Sequence, residues 1–428
     1  METKKPLKNK KATIVKIFKM KEEIEMKIKK IIKIIILIII AILTFCLIMK
    51  NFFPAEWSFI TPHKQGDFVR VGDMHHSVCR HQMILLDDGR VFVYKNGRIE
   101  IYNPKTRRFK NLGVKIQGLR DTSTAIKLKD GRIMIFRGFL AKKNYSSPET
   151  FFFDPKTEKV TQGPNMTIGR VDHSAALLND GRVWISGGFY AHKGGCIYLK
   201  STEFYNPVTN TFENGPELPE EIYEHKVIKD NEGNILLVGG FKYIKDTSAN
   251  IIDPYNYNIL TFNPKLNNVK KIGHLIYGRR GHDIFYIAPN KIYIAEGVGP
   301  EKYPNSNDIN FYAKLFSIEF FNSDSKKSSI INKRTSPAEF ITTALLPDNT
   351  ILFSGGFSGF SIGYTKSSNT QIYDSRSNKF ITPKNNSQNP IAKGTSIMLK
   401  DGNILMTGGG IDGSKKAAIY MFNNKIKK

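Results

Sequence analysis

Two turn signals, linked at a nearly constant spacing, recur seven times after residue 65, and this recurrence limits the fold more than anything else in the chain. The first is Asp88-Gly89, Asp130-Gly131, Asp180-Gly181, Glu232-Gly233, Pro289-Asn290, Asp348-Asn349 and Asp401-Gly402. The second is Asn103-Pro104, Asp154-Pro155, Asn206-Pro207, Asn263-Pro264, Asn322-Ser323, Asp374-Ser375 and Asn423-Asn424. In five copies an apolar residue (Phe109, Val160, Phe212, Val269 or Phe380) stands six positions after the Asn or Asp of the second turn. The third copy is the most regular. His173-Ser-Ala-Ala-Leu-Leu leads into the first turn, Arg182-Val-Trp-Ile-Ser-Gly-Gly follows it, and Ser201-Thr-Glu-Phe-Tyr leads into the second. Short apolar runs separated by Asp-Gly and Asn-Pro turns predict four antiparallel strands per repeat, A to D. An aromatic content of 11% and 34 glycines agree with a strand-rich globular body.

The two ends of the repeat region fit each other. The last repeat reaches Lys428 where its strand D should begin. Phe68–Met74 copies the D strands at Phe109–Gly113 and Val160–Met166, with no strands A to C before it. The N-terminal segment is therefore expected to supply the missing outer strand of the last repeat, closing a ring and covering an open sheet edge.

The pairs Gly187-Gly188, Gly239-Gly240, Gly355-Gly356 and Gly408-Gly409 follow apolar strands and resemble the kelch double glycine. "LLNDGRVWISGG" and "STEFYNPVTNTF" are similar to bacterial kelch repeats of the galactose-oxidase-like propeller superfamily. The resemblance covers residues 67–428 and implies an all-β, seven-bladed kelch β-propeller closed by an N-terminal outer strand. The usual strand-D tryptophan is replaced by Phe or Val. The group includes adaptors, sugar-binding proteins, a sialic-acid epimerase and a copper oxidase, so the fold leaves function open. A copper-radical oxidase needs a cysteine-modified tyrosine, a second tyrosine and two histidines. Cys79 and Cys196 are available, but no Tyr-His pair occupies a matching rim position, and neither a metal nor another cofactor is expected.

Ahead of the repeats, Ile34–Met49 is apolar except for Thr44, and twelve lysines precede it. This pattern predicts a lysine-rich cytoplasmic tail over 1–30, a transmembrane signal-anchor helix over 31–50 and a linker over 51–66. The lysine asymmetry places the propeller outside the cytoplasm, extracellular or periplasmic. Residues 12–30 alternate apolar and basic positions and suit the inner leaflet or an extension of the helix. The net charge is +26, with no basic run interleaved with aromatics as a nucleic-acid groove would need, so no nucleic-acid partner is expected. Three cysteines do not make a disulfide framework, and Cys79 and Cys196 are expected as thiols.

Strand order puts the D–A and B–C loops on one rim. The B–C loops (139–149, 189–200, 241–257, 298–313 and 357–368) are long and rich in Phe and Tyr, while the opposite face has tight turns. Long loops on a rigid scaffold are where binding residues concentrate. His81, His173, His225 and His282 share one repeat position at this rim, and Arg120, Arg170 and Arg279 share another. Two readings follow: a ring of donors for an anionic or polar ligand, or ties between neighbouring blades. The double glycine is lost at Lys95-Asn96, Arg137-Gly138 and Glu296-Gly297, which adds Arg137 and Glu296 as candidates. Blade five departs furthest from the pattern and carries Glu301, Lys302 and Asp308 in its loop. These features lead to a membrane-anchored module that binds a glycan or a protein. The alternative is an epimerase- or mutarotase-like enzyme on the same face, with Glu296 and His282 as acid and base.

Overall fold

The computed structural model describes residues 7–52, 66–78, 81–116, 123–140, 144–243, 253–302, 309–333, 341–358, 365–366, 369–383, 394–409 and 414–422. The chain divides into two compact units, residues 1–61 and 62–428.

The larger unit holds seven four-stranded antiparallel sheets, each with the order A-B-C-D. In blade three these strands are Ser174–Leu177, Val183–Ser186, Thr202–Asn206 and Thr211–Asn214. The seventh sheet takes strands A to C from Thr395–Met398, Ile404–Thr407 and Ala417–Tyr420, and its outer strand is Phe68–Arg70. Phe68 pairs with Tyr420, Val69 with Ile419 and Arg70 with Ala418, which is the closure expected from the sequence.

Both turn signals have a local physical cause. At the C–D turns the side chains of Asn103, Asp154, Asn206, Asn263, Asn322 and Asp374 each accept the amide two residues on, at 2.8–3.1 Å. This Asx geometry is one that Asn and Asp form and longer side chains do not. Four positions later the backbone turns left-handed at Arg107, Glu158, Asn210, Asn267, Lys326 and Asn378. At the A–B turns Asp88, Asp130 and Asp180 cap the amides of Arg90, Arg132 and Arg182, and the glycines between them have φ of 88–98°.

The core lies between blades. Strand B is buried on both faces, as in Val183–Ser186. Met134, Phe136 and Phe152 of blade two pack on Val183, Ile185 and Tyr205 of blade three. On the other side of blade three, Trp184 stacks on Phe262 of blade four with ring centroids 4.3 Å apart. Each such side chain contributes about 1.5–3 kcal/mol by leaving water. Where the strand-D tryptophan is missing, Phe109, Phe212 and Phe380 lie against Tyr102, Tyr205 and Tyr373, at 4.8–5.4 Å between centroids.

The smaller unit contains one helix, Leu7–Phe52. The expected membrane span 31–50 falls within it, but the side chains of 42, 43 and 45–50 lie outside the described residues. Among the described residues no helix is long and apolar enough to cross a membrane.

Candidate functional site

The four equivalent histidines sit between blades. His225 Nε2 is 2.9 Å from Ser186 Oγ of blade three, and His81 Nε2 is 2.5 Å from Thr407 Oγ1 of blade seven. His173 meets Phe136 of blade two edge-on at 5.3 Å. His282 packs under Gly239 of blade four, where a Cβ would come within 2.7 Å of its Cε1. In every case the histidine touches the end of strand B in the preceding blade, at the residue before the double-glycine position or at the first residue of that position. Burial pulls the pKa of His81, His173 and His225 down to about 3 and that of His282 well below its ordinary value, so all four are neutral near pH 7.

The arginines are enclosed as well. Arg170 has no exposed side chain; its Nε and Nη2 donate to Glu203 Oε1 at 3.0 and 2.8 Å. Its Nη1 donates to the carbonyls of Gly187 and Ser201. Arg279 donates to Glu319 Oε2 at 2.9 Å and to the Glu296 carbonyl at 3.0 Å. Desolvation outweighs the attraction in the second pair, lowering the pKa of Arg279 and raising that of Glu319. The glutamates also gather amides of the D–A loop: Thr167 and Ile168 on Glu203, Ile276 and Tyr277 on Glu319. In blade one the arginine's part falls to His76, whose Nδ1 is 2.8 Å from Glu100. The tie between elements is thus the geometry found for Arg170, Arg279 and the four histidines, and none of the six lies open to a ligand. Arg120 and Asp308 lie outside the described residues, as do the side chains of Glu301 and Lys302.

The positions where the double glycine is lost do reach the rim. Arg137 is ion-paired with Glu149 and lies over Phe151. Glu296 is half-buried on a left-handed backbone at φ 62°. The acid–base pair expected from Glu296 and His282 has its histidine fully enclosed between blades. In blade one the B–C connection shrinks to the tight turn Asn96-Gly97, with φ of 51° and 76°, the geometry favoured by Asn-Gly hairpins.

That shortening opens a cavity. Blades two and three raise B–C hairpins at the rim, the second being Phe189–His192 paired with Gly195–Tyr198, and blade one raises none beside them. The space left is about 820 Å³, lined by Asn96, Phe139, Asn144, Phe189, His192, Lys193 and Cys196. Cys196 is an exposed thiol. Beside the cavity runs a chain of aromatic contacts: Phe189, Tyr198, Tyr223, Phe241 and Tyr255. Tyr243 stacks on Tyr198 at 4.8 Å with half its surface exposed. Among the described rim aromatics Tyr255 is buried, Phe139, Tyr145, Phe189, Tyr190, Tyr198 and Tyr257 are partly buried, and Tyr243 is exposed. Arg280, not singled out by the repeat register, lies over Phe241 at 4.9 Å and pairs with Glu224 at 3.0 Å. Its signal was its place next to Arg279, where two adjacent side chains on an extended segment point opposite ways.

Copper chemistry, known among propellers of this type, needs a cluster of ligands. Among the described residues no three His, Cys, Asp or Glu side chains come together, and the repeat histidines are buried between blades. The four repeat histidines, enclosed between blades, are not placed to serve as the imidazole pair of such a site.

No family model matches the chain. It is 24% identical over 302 residues to galactose oxidase of Gibberella zeae, covering 66% of this chain and 41% of that one. Matches of 117 and 159 residues to two other curated proteins cover 19% and 22% of those proteins, so the chain spans a fifth to two fifths of the curated relatives it matches. Among solved structures, that of YjhT superposes with a TM-score of 0.50 at 17% identity, over 72% of this chain and 95% of that one. A fungal alcohol oxidase of the AA5 family, in complex with copper, superposes with a TM-score of 0.59 at 14% identity, over 83% and 76%. At these identities the structural likeness speaks for the fold alone. With the double glycines, the seven A-B-C-D sheets and the closing N-terminal strand, the chain is a seven-bladed β-propeller that resembles the kelch propellers of the galactose-oxidase-like type.

Proposed function

We propose that this protein is a membrane-anchored propeller, displayed outside the cytoplasm, that binds a carbohydrate in the cavity between the hairpins of blades two and three. The cavity carries the proposal. Its size suits a mono- or disaccharide, since ligand sites commonly measure about 300–1,000 Å³. The lining supplies what a sugar needs: the rings of Phe139 and Phe189 for its apolar face, and the amides of Asn96 and Asn144 with Lys193 for its hydroxyls. The likeness to galactose oxidase supports a carbohydrate over a protein ligand.

The anchor is supported by the helix. Ile34, Ile35, Ile36, Leu37, Ile38, Ile39 and Ile40 are each 49–65% exposed, so its surface is apolar all round. A helix of that kind is stable in lipid or inside a protein core, not in water. The lysines before it set the orientation.

The binding test is a glycan array probed with the full chain in detergent. At least one glycan should be retained, and Phe189→Ala and Lys193→Ala should each weaken its binding by roughly tenfold, the loss of one stacking or charge-assisted contact. Retention of no glycan, or binding indifferent to both changes, would overturn the reading. For topology, protease added to intact cells or spheroplasts should cut the propeller and spare residues 1–30. A propeller cut only after lysis would reverse the orientation.

A further inference from the structure

The chain enters the propeller at one particular face. In blade seven, strand C (Ala417–Tyr420) runs from the long-loop rim to the turn face, and Phe68 pairs with Tyr420 at its turn-face end. The Gly66 amide donates to the Met421 carbonyl at 3.0 Å, so the approach to the closing strand is held there too. Residues 53–67 join this point to the helix end at Phe52. Fully extended, such a segment reaches at most about 50 Å. The attachment point is on the face opposite the cavity.

That face has an uneven charge distribution. Its outer ring consists of the C–D turns, six of them within the described residues. They expose nine Lys or Arg side chains, with Lys105, Lys156, Lys265 and Arg376 at the tips, against one exposed carboxylate, Asp324. The carboxylates of Asp154 and Asp374 are turned onto their own backbone amides. The exposed acids of this face, such as Asp88, Asp130 and Asp180, sit in the A–B turns nearer the axis. Two bare aliphatic side chains stand among the outer turns of neighbouring blades: Val208, 91% exposed, and Leu266, 64% exposed beside Lys265. Basic side chains around uncovered aliphatic tips suit a headgroup layer, where the charges meet lipid phosphates and the tips reach below them.

We propose that the turn face docks on the anionic headgroups of the membrane that carries the helix, so that the cavity rim points away from the bilayer. This rests on the anchored reading above, and the experiment separates the two. The full chain is reconstituted into phosphatidylcholine vesicles with or without phosphatidylglycerol, including lipids that carry a headgroup quencher. Cys46→Ser and Cys79→Ser leave Cys196, on the long-loop rim, as one labelling site for an environment-sensitive fluorophore. A second protein adds Cys196→Ser and Val208→Cys to label the turn face. With phosphatidylglycerol, quenching should be several-fold stronger on the turn face than at Cys196. The difference should disappear without the anionic lipid, or when Lys105, Lys156 and Lys265 are replaced by Glu. Equal quenching at the two sites, in protein that resists alkaline carbonate extraction, overturns the docking and leaves the anchor standing. Release by carbonate overturns both.

Discussion

Replacing Arg170 by alanine tests whether the buried arginines hold the blades rather than a ligand. The guanidinium makes five hydrogen bonds of 2.8–3.0 Å: two to Glu203, two to the carbonyls of Gly187 and Ser201, and one to Ser201 Oγ. Truncation leaves Glu203 with only the amides of Thr167 and Ile168, at 2.7 and 3.4 Å, and takes a donor from the Gly187 carbonyl, while the Ser201 carbonyl keeps the Gly187 amide at 3.3 Å. Removing one partner of a fully enclosed ion pair costs about 3–5 kcal/mol. For a propeller of this length, at roughly 2.1 cal/mol/K of unfolding entropy per residue, that is a fall in Tm of about 4–7 °C. Differential scanning calorimetry of the full chain in detergent would read it directly. The double change Arg170→Met with Glu203→Leu should recover most of the loss, because no charge is then left uncompensated. Lys105→Ala, on an exposed turn, should stay within about 0.5 kcal/mol of the parent. A single variant that melts with the parent, or a double variant no better than the single, would refute the argument.

Other outcomes follow from the same geometry. Acid should destabilise the ring: the four histidines are held neutral when folded but take up protons near pH 6.5 when unfolded, so their contribution is intact above that value and declines as pH falls toward 3. At pH 5 His81, His173 and His225 would each cost about 2 kcal/mol, and a melting temperature flat from pH 7.5 to 5 would contradict this. Gly239→Ala combines a φ of 65° with a Cβ 2.5 Å from the Arg279 carbonyl oxygen, and should lower stability by about 2 kcal/mol or more, measured by urea unfolding. Val71→Asp puts a charge where the parent side chain has no exposure, and should yield aggregated or protease-sensitive protein by uncoupling the closing strand from blade seven. Normal solubility and melting would argue against the importance of closure.

The blades were legible because each repeats a local rule. An Asn or Asp that caps its own turn leaves a mark at a fixed position, and so does a left-handed residue four places on. The closing strand was legible for the same reason, as a stray copy of strand D. The site was harder to read. Periodicity shows that His225 and His282 are equivalent, but not whether they face the channel or the next blade, since strand A lies within reach of both. One clue was present: Glu203 and Glu319 stand three residues before the second turn in the two blades that carry Arg170 and Arg279, and Glu100 does so in the blade where His76 takes the arginine's part. The cavity left no positive trace. It exists because the B–C loop of blade one is short, and a missing loop changes the shape of its neighbours' surroundings without adding a residue to notice.

The closing strand also has a consequence for how the ring forms. Val69 is paired with Ile419, two residues separated by nearly the whole propeller. Most other pairings of the ring are made within or between successive blades, at short separations that close quickly, whereas this one, with the contacts of blade one on blade seven such as Val78 with Ser414 and His81 with Thr407, carries the largest loop-closure cost. At about 5–20 residues per second, roughly 20–70 s of synthesis separate the two strands. For that time the N-terminal strand has no sheet to join and blade seven does not yet exist. The final and slowest step of folding should then be the docking of three residues, Phe68–Arg70, onto the edge of blade seven. Changes confined to this segment should slow the arrival of protease-resistant protein and leave the earlier collapse of the other six blades at its normal rate.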